Sequence, residues 1–126
     1  MAKELGSFTP NPTGNTTLTL NGSFTPTWID FWVGPRTGTT ETVNMASFGC
    51  VDITNGNATW QSNFSGSTNQ TKNGVGSSTG TSCLQHYNPA NTKVIDIKFV
   101  SAASGQFVVD VVTANVNYTV YYRVEG

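Results

Sequence analysis

The sequence predicts an all-β fold: one antiparallel β-sandwich domain over residues 1–126, jelly-roll-like, with about eight or nine strands. Three observations predict it. Apolar residues fall in short dense runs rich in Val, Ile, Phe, Tyr and Trp, which fit a pleated, half-buried surface. Within the runs they alternate with polar residues at a period of two. Between the runs stand turn-forming pairs such as Asn21-Gly22, Asn55-Gly56 and Ser104-Gly105.

Taken in chain order, Lys3–Thr9 is a modest strand closed by Pro10-Asn11-Pro12. Thr16–Leu20 puts Leu18 and Leu20 on one face, and Asn21-Gly22 then reads as a hairpin turn. Trp28–Val33 sets Ile29, Phe31 and Val33 against Trp28, Asp30 and Trp32, and Gly34-Pro35 ends it. Val43–Ile53 is a longer strand with a bulge expected at Gly49. Asn55-Gly56 turns the chain into Ala58–Asn63. Residues 65–82, rich in Gly and Ser, read as a long surface loop or a weak edge. Cys83–Tyr87 is a short strand before Asn88-Pro89.

The last third alternates most clearly. Lys93–Ser101 turns Ile95, Ile97 and Phe99 inward and Asp96 and Lys98 outward. Phe107–Thr113 groups Phe107, Val109 and Val111. Val116–Val124 groups Val116, Tyr118, Val120, Tyr122 and Val124 on one face, with Tyr121 and Arg123 opposite. No repeat, linker or second domain interrupts the pattern.

Charge narrows the function classes. Only 10% of residues are charged, against roughly 25% in an ordinary soluble domain. Polarity comes instead from 20 Thr, 11 Ser, 13 Asn and 13 Gly, together 57 of 126 residues. Such a surface has few ions to desolvate and few like charges to repel a neighbour, which suits packing against other macromolecules. The four Lys and two Arg are scattered, so no basic stripe tracks phosphates, and no nucleic-acid partner is expected. No apolar run is long enough to span a bilayer as a helix, and no membrane partner is expected. Met1-Ala2-Lys3-Glu4 leads into no apolar signal segment, so a cytoplasmic origin is expected.

Residues that carry chemistry are sparse. His86 is the single histidine, and the expectation is a loop or strand-end residue rather than a general base. One His and two distant Cys have no zinc-ligand spacing, and Asp30, Glu41, Asp52, Asp96 and Asp110 form neither a glycosidase pair nor a calcium loop. No catalytic residue, metal or cofactor is therefore expected. Cys50 and Cys83 read as free, mostly buried thiols in a reducing compartment, with one disulfide between them as the alternative. Six Asn-x-Ser/Thr sequons occur, at Asn15, Asn21, Asn57, Asn63, Asn69 and Asn117, where composition alone yields about three by chance. The aromatics say more. Trp28, Trp32, Trp60 and Tyr87 have three readings: core filling, a subunit interface, or stacking on sugar rings.

A family resemblance adds context. Gly14-Asn15-Thr16-Thr17-Leu18-Thr19-Leu20 followed by Phe24-Thr25-Pro26-Thr27-Trp28-Ile29-Asp30-Phe31-Trp32 resembles a pattern in small β-rich proteins of phages and prophages. Ser47-Phe48-Gly49-Cys50, Ile95–Ser101 leading to Gly105-Gln106-Phe107-Val108-Val109, and Val120-Tyr121-Tyr122-Arg123-Val124 are similar to its later segments. Asn21-Gly22-Ser23 departs from the shorter Gly-Leu-Gly turn of that pattern. The resemblance implies a non-enzymatic, homo-oligomeric virion protein, assembled in the host cytoplasm beside a major capsid or tail protein. Capsid decoration is expected ahead of a tail or fibre tip, because the chain is short and has no shaft repeat. The alternative is a lectin-like module that attaches to host surface glycans.

Overall fold

A strand buries only every second side chain, so this sequence of half-apolar strands must pair two sheets to close a core. A computed structural model describes residues 1–33, 45–54, 57–66, 71–76, 82–88 and 92–126. Among them are ten strands: β1 (Lys3–Phe8), β2 (Gly14–Thr19), β3 (Trp28–Val33), β4 (Met45–Thr54), β5 (Asn57–Gly66), β6 (Thr71–Gly76), β7 (Leu84–Tyr87), β8 (Lys93–Ala103), β9 (Gln106–Thr113) and β10 (Val120–Glu125). A six-stranded sheet runs β1-β10-β3-β4-β5-β6 and a four-stranded sheet runs β2-β9-β8-β7, every pairing antiparallel.

The all-β sandwich is as expected. The tenth strand is β6, an edge strand where the sequence left a choice between loop and weak edge. The order β1-β10-β3 over β2-β9 wraps the ends of the chain as a jelly roll does. The remaining strands form two up-and-down meanders, β3 to β6 and β7 to β9.

Three local expectations are corrected. Asn21-Gly22 is no hairpin, because β2 and β3 belong to different sheets and this segment crosses between them. The crossing is held by Glu4, whose two carboxylate oxygens accept the Asn21 N–H at 2.9 Å and whose Oε1 also accepts the Gly22 N–H at 3.1 Å. Gly49 carries no bulge; it keeps register with Phe31 on one side and Ser62 on the other. The final strand starts at Val120, not Val116. The Val116 side chain is exposed, because residues 114–119 carry the chain from the small sheet back to the large one. Asn115 fixes that crossing, its amide donating to Pro10 O and its side-chain oxygen accepting the Asn117 N–H. The turns at Gly34-Pro35, Asn55-Gly56 and Pro89, with Glu41 and the start of the strand expected at Val43, lie outside the described residues.

Between the sheets the inward residues of β3, β10, β9 and β8 interlock. Phe31 meets Phe107 edge-on at 6.0 Å, and Phe107 meets Tyr122 edge-on at 5.1 Å, which stitches β3 and β10 to β9 across the core. Burying each such ring contributes about 1.5–3 kcal/mol. The β8–β9 hairpin turns at Ser104-Gly105, where Gly105 has φ +74, a conformation that side chains resist. At the other end Ala2 and Gly126 exchange both backbone hydrogen bonds, which continues the β1–β10 ladder.

Gly6 lies opposite Tyr122 in that ladder, and a Cβ there would sit 2.3 Å from the buried ring. The tyrosine covers the bare glycine backbone of an edge strand. Gly6→Ala should therefore lower stability by about 1–3 kcal/mol, read from urea unfolding. An unchanged midpoint would show that β1 is not packed beneath Tyr122.

Candidate interaction site

The six-stranded sheet has its inner face in the core, so its outer face presents the other half of each strand. Register places these residues in rows across the strands. One row runs Ser7, Tyr121, Trp32 and Phe48 over β1, β10, β3 and β4. The next runs Leu5, Arg123, Asp30 and Cys50, and the third Lys3, Glu125, Trp28 and Asp52. Neighbouring strands lie about 4.8 Å apart, so three aromatic side chains in one row form a continuous band about 10 Å long.

Trp32 and Tyr121 stack with centroids 6.0 Å apart and planes 16° from parallel. A cross-strand aromatic pair of this kind is worth about 0.5–1.5 kcal/mol, which holds both rings in place without burying them. Tyr121 is 43% exposed, Phe48 56% and Leu5 71%, while Trp28 and Trp32 are half-buried. These are large apolar groups to leave in water.

A polar network borders the band. The Trp28 indole Nε1–H donates to Asp30 Oδ1 at 2.8 Å. Arg123 lies between two carboxylates, its Nε 3.5 Å from Asp30 Oδ2 and its terminal amine on Glu125 Oε1. Lys3 approaches Glu125 at 3.9 Å. Exposed pairs such as these add at most about 1 kcal/mol each, so their effect is to orient Trp28 and Arg123. The outer face thus combines aromatic rings with an orientated guanidinium, and Lys3, Arg123, Asp30 and Glu125 on it pair with one another.

Of the four aromatics singled out from the sequence, the structure brings Trp28 and Trp32 onto this face and separates the other two. Trp60 is 5% exposed, its ring tilted against Phe99 at 6.2 Å, and it belongs to the core. Tyr87 is half-buried at the end of β7, in the other sheet. Phe48, Tyr121, Arg123 and Leu5 complete the face. Tyr121 and Arg123 were already opposite the apolar residues of their strand in the sequence pattern. Phe48 was hidden, because its neighbours Ser47 and Gly49 are the inward residues and are not apolar.

The chemistry-bearing residues lie elsewhere, inside. His86 Nδ1 and Ser47 Oγ are 2.7 Å apart, both residues fully buried, and the pair bridges β7 of one sheet to β4 of the other. Tyr118 packs edge-on to the imidazole at 5.1 Å. A serine beside a histidine is the start of a nucleophile–base pair, but neither side chain is open to solvent and so to a substrate. Burial pushes the imidazole down to about 4 and keeps it neutral.

On the outer side of β8, Asp96 is covered rather than exposed. It accepts from Ser82 Oγ and pairs with Lys93 at 3.1 Å, while Gln85 donates to Ser82 at 3.2 Å. Cys50 and Cys83 form no disulfide. Cys83 is fully buried, which pushes its thiol upward, whereas Cys50 is only half-buried on the outer face. Among the described residues no cluster of three or more His, Cys, Asp or Glu has the arrangement of a metal site. Comparison of the chain with protein-family models, curated proteins and solved structures finds no match.

Because the fold holds His86 neutral while the unfolded chain protonates near 6.5, acid favours unfolding. The contribution is complete above pH 6.5 and is lost as the pH falls toward 4, to a total of about 3 kcal/mol. His86→Leu should flatten that part of the stability–pH curve measured by urea unfolding. An identical slope in wild type and variant would remove His86 from the core.

Proposed function

We propose that this chain is a non-enzymatic structural protein that acts by association, coating or extending a virus particle as one copy packs on the next and on a shell protein. The observation that carries the reading is the band of Tyr121, Trp32 and Phe48, bordered by Arg123, on the outer face of the large sheet. Trp, Tyr and Arg are the side chains that dominate binding energy at protein interfaces, because they bury much area with few rotors. A net charge of −1 supports close packing of identical copies without long-range repulsion. Capsid decoration is preferred to a fibre tip for a chain of 126 residues without a shaft repeat.

A second reading is attachment to host glycans. It is favoured by Trp28 and Trp32 lying beside Asp30 and Arg123, since sugars are bound by rings that stack and polar groups that take the hydroxyls.

Trp32→Ser combined with Phe48→Ser removes two rings from the band and none from the core. Self-association measured by sedimentation should weaken at least tenfold, about 1.4 kcal/mol, with the unfolding midpoint little changed. Association as strong as wild type would end the structural reading for this face. Quenching of tryptophan fluorescence by saccharides, in a protein that stays monomeric, would select the glycan reading instead.

A further inference from the structure

An open β-sandwich has free strand edges, and this one protects them unequally. Natural edges are blunted by charge, proline, bulges or brevity. Strand β1 carries Lys3 and Glu4, β6 carries Lys72, and β7 is four residues long with a register shift at His86/Tyr87. Strand β2, Gly14-Asn15-Thr16-Thr17-Leu18-Thr19, has no charge and no proline. Its register with β9 runs unbroken from Gly14↔Val111 to Thr19↔Gln106. Among the described residues β2 pairs on one side only.

The direction of its free groups follows from one bond. Leu20 N donates to Gly105 O at 2.8 Å, so the Leu20 backbone faces the β9 side. In an antiparallel ladder every second residue faces the same way. Leu18, Thr16 and Gly14 therefore bond to β9, and Asn15, Thr17 and Thr19 direct N–H and C=O to the unpaired edge. The side chains of those same three residues are exposed on the outer face of the small sheet.

We infer that β2 is a self-pairing edge whose partner is β2 of a second copy, antiparallel about a two-fold axis at Thr17. Thr17 then faces its own symmetry mate, and Asn15 of each chain faces Thr19 of the other. Three facing pairs make about six backbone hydrogen bonds. A second copy fits because two identical uncharged edges bring no like charges together, and an edge read from either end is its own complement under a two-fold. The seam joins two small sheets into one continuous sheet. It lies on the other sheet from the aromatic band, so each molecule holds two separate contacts, which extend a coat rather than close a pair. The inference stands independently of the aromatic face.

Thr17→Pro deletes the central outward donor and leaves the β9 ladder intact, since Thr17 N–H does not face β9. The pairing should weaken at least tenfold in sedimentation, with the native spectrum retained. Should Thr17→Pro fail to fold, Asn15→Lys with Thr19→Lys replaces it: two lysines of one chain then face two of the other and repel. Mixing that variant with Asn15→Glu, Thr19→Glu should restore pairing as a heterodimer.

In wild type, exchange of the Thr17 amide should slow as the protein is concentrated from about 10 µM to about 1 mM. It should do so equally in the Trp32→Ser, Phe48→Ser background, which separates this seam from the aromatic face. A Thr17 amide that exchanges at one rate throughout, or a Lys/Glu mixture that stays monomeric, would overturn the inference. So would a strand from a different protein protecting that amide while the chain alone stays monomeric.

Discussion

The whole arrangement depends on the two-fold period of the extended backbone. Each strand can bury only alternate side chains, so whatever occupies the other positions is displayed. In β3 and β10 the inward residues Ile29, Phe31, Val33, Val120, Tyr122 and Val124 are all buried. A slip of one residue would bury Asp30 and Arg123 in their place, at several kcal/mol per ion, a large share of the stability of a small domain. The core therefore holds the register, and the register aligns Tyr121, Trp32 and Phe48 into one band.

The same constraint explains why the polar chemistry divides as it does. A histidine and a serine sit inside because each supplies what the other lacks there: the hydroxyl is a partner for the imidazole nitrogen, and the sandwich excludes water from both. Such a pair between β4 and β7 favours one lateral placement of the two sheets over slipped alternatives, because a slip would leave polar atoms buried without partners. The Glu4 carboxylate holds the crossing at Asn21-Gly22, and the ion-paired charges lie on the outer faces. There the Lys3–Glu125–Arg123–Asp30 chain neutralises itself on the large sheet, and Asp96 is shielded by Ser82 and Lys93 on the small one.

A surface nearly free of net charge has little to steer a distant partner and little to repel a near one. In the proposed function and the inferred seam, recognition rests on short-range contact: rings against an apolar partner, and backbone groups along an edge that pairs on one side only among the described residues. Both features are present, on opposite sheets. The role proposed for the molecule, to be placed among other molecules rather than to transform a small one, rests on these two features.

Composition, alternation and turn signals by themselves determined the all-β class, the approximate strand spans, and the placing of Trp28, Trp32, Tyr121 and Arg123 on the face opposite the apolar residues of their strands, because these depend only on the local period of the chain. Sheet membership was not legible. Asn21-Gly22 is chemically fit for a hairpin, and only the Glu4 carboxylate, seventeen residues away in sequence, shows it to be a crossing between sheets. Residues 116–119 alternate like a strand, yet they carry the chain back to the large sheet, and the strand begins only at Val120. Trp60 and Trp32 look equivalent in sequence, and their opposite fates depend on whether a second layer lies over their face of the sheet. Which residues meet is a property of strand order, and strand order is decided by packing between segments far apart in the chain, where the period of any one segment has no influence.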